Sequence, residues 1–188
     1  MEVTKVDELV AVVSSVATYG GQIATVFHNY SLVAKVLPRD FAGANNILNA
    51  STSTLKQLLT LLATSNRESE RVHLFSEEGL EYVKLIVFEI ATILTKIQPA
   101  VEEACLSRPE RRKLQRQKRR AETRNNAAIL DPLTLKLDEQ VFLERVEKTN
   151  WNVAIDDLSE HIPRLYELQL LVLLVFQVGT VAKLSKDV

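Results

Sequence analysis

One cysteine, Cys105, stands among 188 residues. It excludes an internal disulfide and the usual zinc clusters, and it fits a reducing compartment. Glycine and proline number 5 each, too few for an all-β chain dense in tight turns. The opening "MEVTKVDEL" carries acids where a secretory signal needs a basic region, so secretion is not expected. The sequons at Asn29 and Asn49 then read as chance matches. No Gly-rich phosphate loop is present, because Gly20-Gly21 lies outside any G-x-x-x-x-G-K-[ST] frame. His28, His73 and His161 are far apart in the chain and share no metal-ligand spacing. Asp156, Asp157 and Glu160 read as a solvated helix surface. No catalytic residue, metal site or cofactor is expected, and the chain reads as a non-enzyme.

What the chain does have is helix-spaced apolar sequence. Apolar residues make up 46% and charged residues 25%, a globular composition. The length suits a single domain over residues 1–188. Val6, Leu9, Val10, Val13, Val16, Ala17, Gly20, Ala24 and Phe27 recur at i, i+3, i+4, i+7. That spacing predicts a helix over about residues 5–34. Phe41, Leu48, Thr52, Leu55, Leu59 and Leu62 predict a second helix after Pro38. Residues 64–75 are polar and aperiodic and read as a loop. Ser76, followed by Glu77 and Glu78, predicts a helix start. The helix after it carries Leu80, Val83, Val87, Ile90, Leu94, Ile97 and Val101, with a kink at Pro99 and a restart at Pro109. Asp131-Pro132 signals a turn, and Leu133, Leu135 and Leu137 alternate like a short extended piece. Asp138 can cap a helix bearing Val141, Phe142, Val146 and Lys148. Beyond Trp151 the pattern runs through Pro163, as one kinked helix or two in succession. The expectation is all-α: a bundle of about four to five long helices with a protruding basic segment. Its expected core includes Val10, Val13, Phe27, Leu55, Leu59, Val87, Ile90, Leu94, Trp151, Leu168, Leu171, Val172 and Val175.

Near the end lies "LYELQLLVLLVFQVGTVAKL", residues 165–184. Between Glu167 and Lys183 only fifteen residues are free of charge, and these include Gln169, Gln177, Gly179 and Thr180. A membrane span wants about 20 apolar residues. The stretch therefore predicts a core helix buried nearly all round, with Leu168, Leu171, Val172 and Val175 against Val10, Val13 and Ala17 of the first helix. The tract from Leu9 to Ala34 is longer and uncharged, yet rich in Ser, Thr and Gly. As a helix that could leave a bundle and lie in a membrane it fits better than as a span.

Charge is segregated. Residues 108–124 hold 9 basic and 2 acidic side chains, a net +7, and the rest of the chain is −8. This basic arm precedes a turn region over residues 125–137. A solvated helix extension or loop accounts for it without a ligand. Its functional readings are a nuclear-import signal, nucleic-acid contact, or attraction to anionic lipid. The residues that would make such a contact are Arg111, Arg112, Lys113, Arg116, Lys118, Arg119 and Arg120. Nucleic acid is the least favoured partner. The acidic body opposes it, no aromatic side chain stands in the arm, and no leucine heptad follows.

The segments "VDELVAVVSSVATYGGQIATVFHNY" and, after Trp151, "AIDDLSEHIPRLYELQLLVLLVFQV" resemble the N-terminal helical domains of many fungal proteins. Such domains precede nucleotide-binding signalling modules or ankyrin repeats. Some, the HeLo and HeLo-like group, are cell-death effectors whose four-helix bundle is similar to that of the mixed-lineage kinase-like necroptosis effector. The likeness spans nearly the whole chain and rests on apolar spacing, and the strong basic arm departs from it. It implies a cytoplasmic helical signalling module that associates with itself or a protein partner. It equally implies, as an alternative, an effector that targets anionic membrane. The arm would add a nuclear or peripheral-membrane location.

Overall fold

The computed structural model describes residues 2–34, 39–67, 76–122 and 130–184. It is all-helical, and among these residues there is no strand. Seven α-helices occur there, more than the four to five expected: α1 (Glu2–Val33), α2 (Arg39–Arg67), α3 (Glu77–Cys105), α4 (Arg108–Glu122), α5 (Glu139–Lys148), α6 (Trp151–Leu158) and α7 (His161–Leu184). The extra members are short, and only α1, α2, α3 and α7 exceed 20 residues.

The four long helices form the bundle. α1 packs on α2 and α3, and α7 packs on the same two from the other side. Specific pairs set the directions. Gly20 of α1 meets Thr52 of α2 while Phe27 meets Phe41, so α1 and α2 are antiparallel. Lys5 pairs with Glu77 and Lys84 with Glu8, so α1 and α3 run parallel. Ser51 reaches Gln169, and Arg164 reaches Glu89. His161 lies beside Pro99 and Glu103 while Arg164, further on, reaches back to Glu89, so α7 runs opposite to α3 and therefore in the same direction as α2. The expected contact of α7 with α1 is not how the bundle closes, because α2 and α3 lie between them.

Small residues allow the α1–α2 approach. A Cβ on Gly20 would lie 3.1 Å from Leu94 Cδ1 and 3.1 Å from Thr52 Oγ1. A Cβ on Gly43, exposed on α2, would meet nothing within 4 Å. Opposite outcomes follow. Gly20→Val is expected to destabilise by about 1–3 kcal/mol through overpacking. Gly43→Ala is expected to stabilise by about 0.5–1 kcal/mol, because a helix interior favours alanine over glycine. Urea melts of the two variants check this. Equal midpoints would mean the α1–α2 seam is looser than its geometry.

The linking segment packs on the bundle's flank. Asp131 accepts from the Leu133 N–H and opens a single 3-10 turn, Pro132–Thr134, where alternation had predicted an extended piece. Proline at the first helical position and a capping acid favour this turn over a strand. The Ser15 hydroxyl donates to the Pro132 carbonyl and pins the turn to α1. Asp138 caps α5, which lies across α1 and α3. α6 and α7 are separate helices, with Ser159 and Glu160 in the turn between them. Pro163 sits in the first turn of α7, where backbone N–H groups have no helical partner to lose. α3 runs through Pro99, and the chain restarts at α4 beside Pro109.

At one end of the bundle five rings from four helices meet: Phe27, Tyr30, Phe41, Phe142 and Trp151. Phe41 and Trp151 are 4.5 Å apart, edge to face. The phenol of Tyr19, further along α1, donates to Gln98 Oε1 at 3.4 Å. Burial, with Glu102 adding to it, pushes its pKa up.

Of the expected core, Val13, Phe27, Leu55, Val87, Ile90, Leu94, Trp151, Leu168 and Val172 are buried. Val10, Leu59, Leu171 and Val175 are part-buried and pack on the core's rim.

Candidate functional site

Two surfaces carry what chemistry the described residues offer. The first is α4. Ser107 and Glu110 form a reciprocal cap at its start. The Ser107 backbone N–H donates to Glu110 Oε2 at 3.0 Å, and the Ser107 hydroxyl donates to the same oxygen. The sequence signal for this is Ser107-Arg-Pro-Glu110, a capping box that the charge of the arm obscured. No other helix packs along α4 among the described residues.

Arg108, Arg112, Lys113 and Arg116 share an open concavity of about 640 Å³ along the helix. Arg112, Lys113 and Arg116 are exposed. Arg111 turns inward. Its guanidinium donates to the Leu106 carbonyl at 3.2 Å, and its Nε is buried without a partner. It is thus half committed to anchoring α4 and less free for a ligand than its neighbours. Lys118, Arg119 and Arg120 continue the helix, and their side chains lie outside the described residues. Arg124 and residues 125–129 of the expected turn lie outside them as well.

The Glu110 carboxyl is held below its ordinary pKa, first by the Ser107 hydroxyl and then by the Ser107 backbone N–H. A group with a lowered folded pKa stabilises the fold above its unfolded value. That contribution is lost as pH falls through the lowered folded value. Glu110 is therefore expected to titrate below the ordinary glutamate range, and the α4 start to fray as pH falls through that lowered value. NMR titration of the Glu110 carboxyl and the Arg111 amide checks it, and Ser107→Ala is expected to return Glu110 toward its ordinary value. An ordinary titration in the parent chain would mean the cap does not form in solution.

The second surface is the outer side of α7. The expectation of burial nearly all round is overturned. Tyr166, Leu170, Leu174, Val178 and Val181 are 46–65% exposed. Val175 and Leu171 sit between this face and the buried line of Leu165, Leu168 and Val172. The physical reason is a shortage of neighbours. Among the described residues α2 and α3 are the helices that pack closely on α7, and two neighbours cover about half of a helix. The missed signal was the fourfold spacing Tyr166, Leu170, Leu174, Val178, a second stripe beside the buried one. Among the described residues two helices are long and apolar enough, by length and composition, to cross a membrane, Lys5–Val33 and His161–Val178. The bundle buries 56% of the best window in the first and 28% in the second.

The remaining candidates have structural roles or none. The Cys105 thiol donates to the Arg145 carbonyl at 2.9 Å and lies 3.3 Å from Thr149 Oγ1. It fastens the end of α3 to α5. Asp156, Asp157 and Glu160 are exposed, and no group of three or more metal-ligating side chains occurs among the described residues. His28 is exposed on α1. His161 edges a shallow groove with Thr95, Lys96, Pro99, Glu103 and Asp157. His73 lies outside the described residues. Comparison with protein families, with curated proteins and with solved structures returns no match for this chain.

Proposed function

We propose that this protein is a non-enzymatic helical signalling module that works by associating with itself or with a protein partner. The observation that carries the reading is the unpartnered apolar face of α7. An ordered helix that keeps large apolar side chains half in water is most simply explained by a partner that covers them. The resemblance to fungal helical domains ahead of nucleotide-binding modules supports the same reading, with a cytoplasmic location.

Light scattering of the purified chain over a wide concentration range tests it, together with capture of binding proteins from a lysate. Self-association, or a specific partner competed away by free protein, is expected. A strict monomer that captures nothing overturns the proposal.

A second reading, a membrane-targeting effector, draws on a different observation. α4 sets net positive charge on a helix along which no other helix packs among the described residues, and α1 is apolar over a membrane-spanning length. Arg112, Lys113 and Arg116 would meet anionic headgroups, each contributing about 1 kcal/mol near the surface. Leakage from vesicles containing anionic phospholipid, measured at low and high salt, distinguishes this reading. No binding at either salt removes it.

A further inference from the structure

We propose that α4 is a docking helix and that its occupant is an acidic helical segment of a partner protein, with carboxylates spaced about one turn apart. The proposal rests on the interaction-module reading and names the chemistry of its partner.

Unanswered charge is the first ground. Arg108, Arg112, Lys113 and Arg116 are exposed and make no ion pair among the described residues. Glu110 does not neutralise them, because the Ser107 hydroxyl and backbone N–H hold its carboxylate at the helix start. Arg111 is turned back to the Leu106 carbonyl and stands apart from the row. Arg108, Arg112 and Arg116 follow one another at every fourth residue, and like charges at that spacing destabilise a helix. α4 has 15 residues and no helix packed along it among the described residues. A helix of that length is marginal without packing. A facing row of anions removes the repulsion and supplies the missing neighbour.

Spacing is the second. Four residues of helix rise about 6 Å, so the three guanidinium groups form a row at that interval. Carboxylates four residues apart on a second helix repeat at the same interval and meet the row one to one. Each guanidinium can take a carboxylate as a planar fork, which a lysine ammonium cannot. The open concavity beside the row, about 640 Å³ and bounded by Pro109 and Gln117 as well as the basic groups, gives the facing side chains room.

The third ground separates carboxylate from phosphate. Duplex nucleic acid carries one negative charge per about 1.7 Å, several times denser than this row. It would also repel the rest of the chain, which is −8. An acidic helix matched to the row is only as charged as the arginines it meets. α4 is about 22 Å long, so its far end carries a partner beyond the roughly 8 Å over which physiological salt screens the acidic bundle. A helix lying on lipid needs an apolar face to insert. The concavity that holds the row is lined by Arg108, Arg112, Lys113, Arg116, Gln117 and Pro109, with no large apolar side chain.

Titration of the full chain with a synthetic helical peptide bearing glutamate at every fourth position tests the proposal, read by fluorescence anisotropy of the peptide. Binding at low salt that weakens as salt rises is expected. R112E combined with R116E, folded by circular dichroism, is expected to lose affinity on the order of tenfold or more. R112K combined with R116K keeps the charge, gives up the fork, and is expected to fall between. Duplex DNA and anionic phospholipid vesicles are titrated in parallel. A peptide that does not bind at low salt overturns the proposal, as does an unchanged affinity in the charge-reversed chain. Tighter binding of DNA or vesicles at matched salt assigns α4 to phosphate and overturns it as well. Self-association or partner capture that survives R112E with R116E leaves the module reading in place and removes α4 as its docking helix. A parent chain that stays monomeric and captures no partner removes the module reading, and this proposal with it.

Discussion

Replacing Phe27 with alanine is expected to lower the stability of the fold by about 3–5 kcal/mol, a large share of the roughly 5–15 kcal/mol typical of a domain. Phe27 is 1% exposed. Its ring lies 5.2 Å from Phe41, 6.1 Å from Phe142 and 5.5 Å from Trp151, the last edge to face. From α1 it thus touches rings of α2, α5 and α6 at once. Removing it takes away transfer energy, leaves a cavity, and strips aromatic contacts from three helices at once. The chain has a single tryptophan, so Trp151 fluorescence reports this cluster and nothing else. Its Nε1 is buried without a hydrogen-bond partner, and a blue-shifted emission is expected in the folded protein. Phe27→Ala should shift that emission to the red at a lower urea concentration. Tyr82→Ala, at a residue 50% exposed, should move the midpoint little. A loss below about 1 kcal/mol for Phe27→Ala would mean that the cluster collapses around the hole and does not fix α5 and α6.

The second large effect lies within α7, between residues six apart. Leu168→Ala is expected to destabilise by about 2–5 kcal/mol, and Leu174→Ala by less than about 0.5 kcal/mol. Leu168 is 1% exposed and Leu174 56% exposed. The two leucines share chemistry, helix and propensity, so the difference isolates burial. Leu171, part-buried at the rim, should fall between them. Thermal melts at low concentration, where association cannot stabilise the fold by mass action, read the comparison cleanly. Equal losses at 168 and 174 would mean that the outer face is covered in the monomer, and the interaction-module reading would lose its surface. A Leu174→Ala melting temperature that falls only at high concentration would instead report a lost partner.

Helix-forming sequence was legible throughout. The i, i+3, i+4 spacing of Val13, Phe27, Val87, Ile90 and Leu94 determined which faces are buried. Those residues are buried because any helix with such a stripe must hide it. Local capping was equally legible at Ser76 and Asp138, each of which accepts from a backbone N–H three residues on. Such bonds need only neighbours in sequence. The charge segregation of α4 was also readable, since it is composition.

What the sequence could not decide was who stands beside whom. The α7 stretch is apolar on every side, and a helix without polar contrast does not say which side is covered. Tertiary structure decided it by supplying α2 and α3 as neighbours on one side, with no helix packed on the other among the described residues, so Leu168 became core and Leu174 surface. The same holds for the five-ring cluster. Phe27, Phe41, Phe142 and Trp151 are up to 124 positions apart, and only the docking of α5 and α6 on the end of the bundle brings them together. Periodicity encodes a direction around one helix axis. It carries no information about a second axis, and the pairing of axes is where the candidate interaction surface was made.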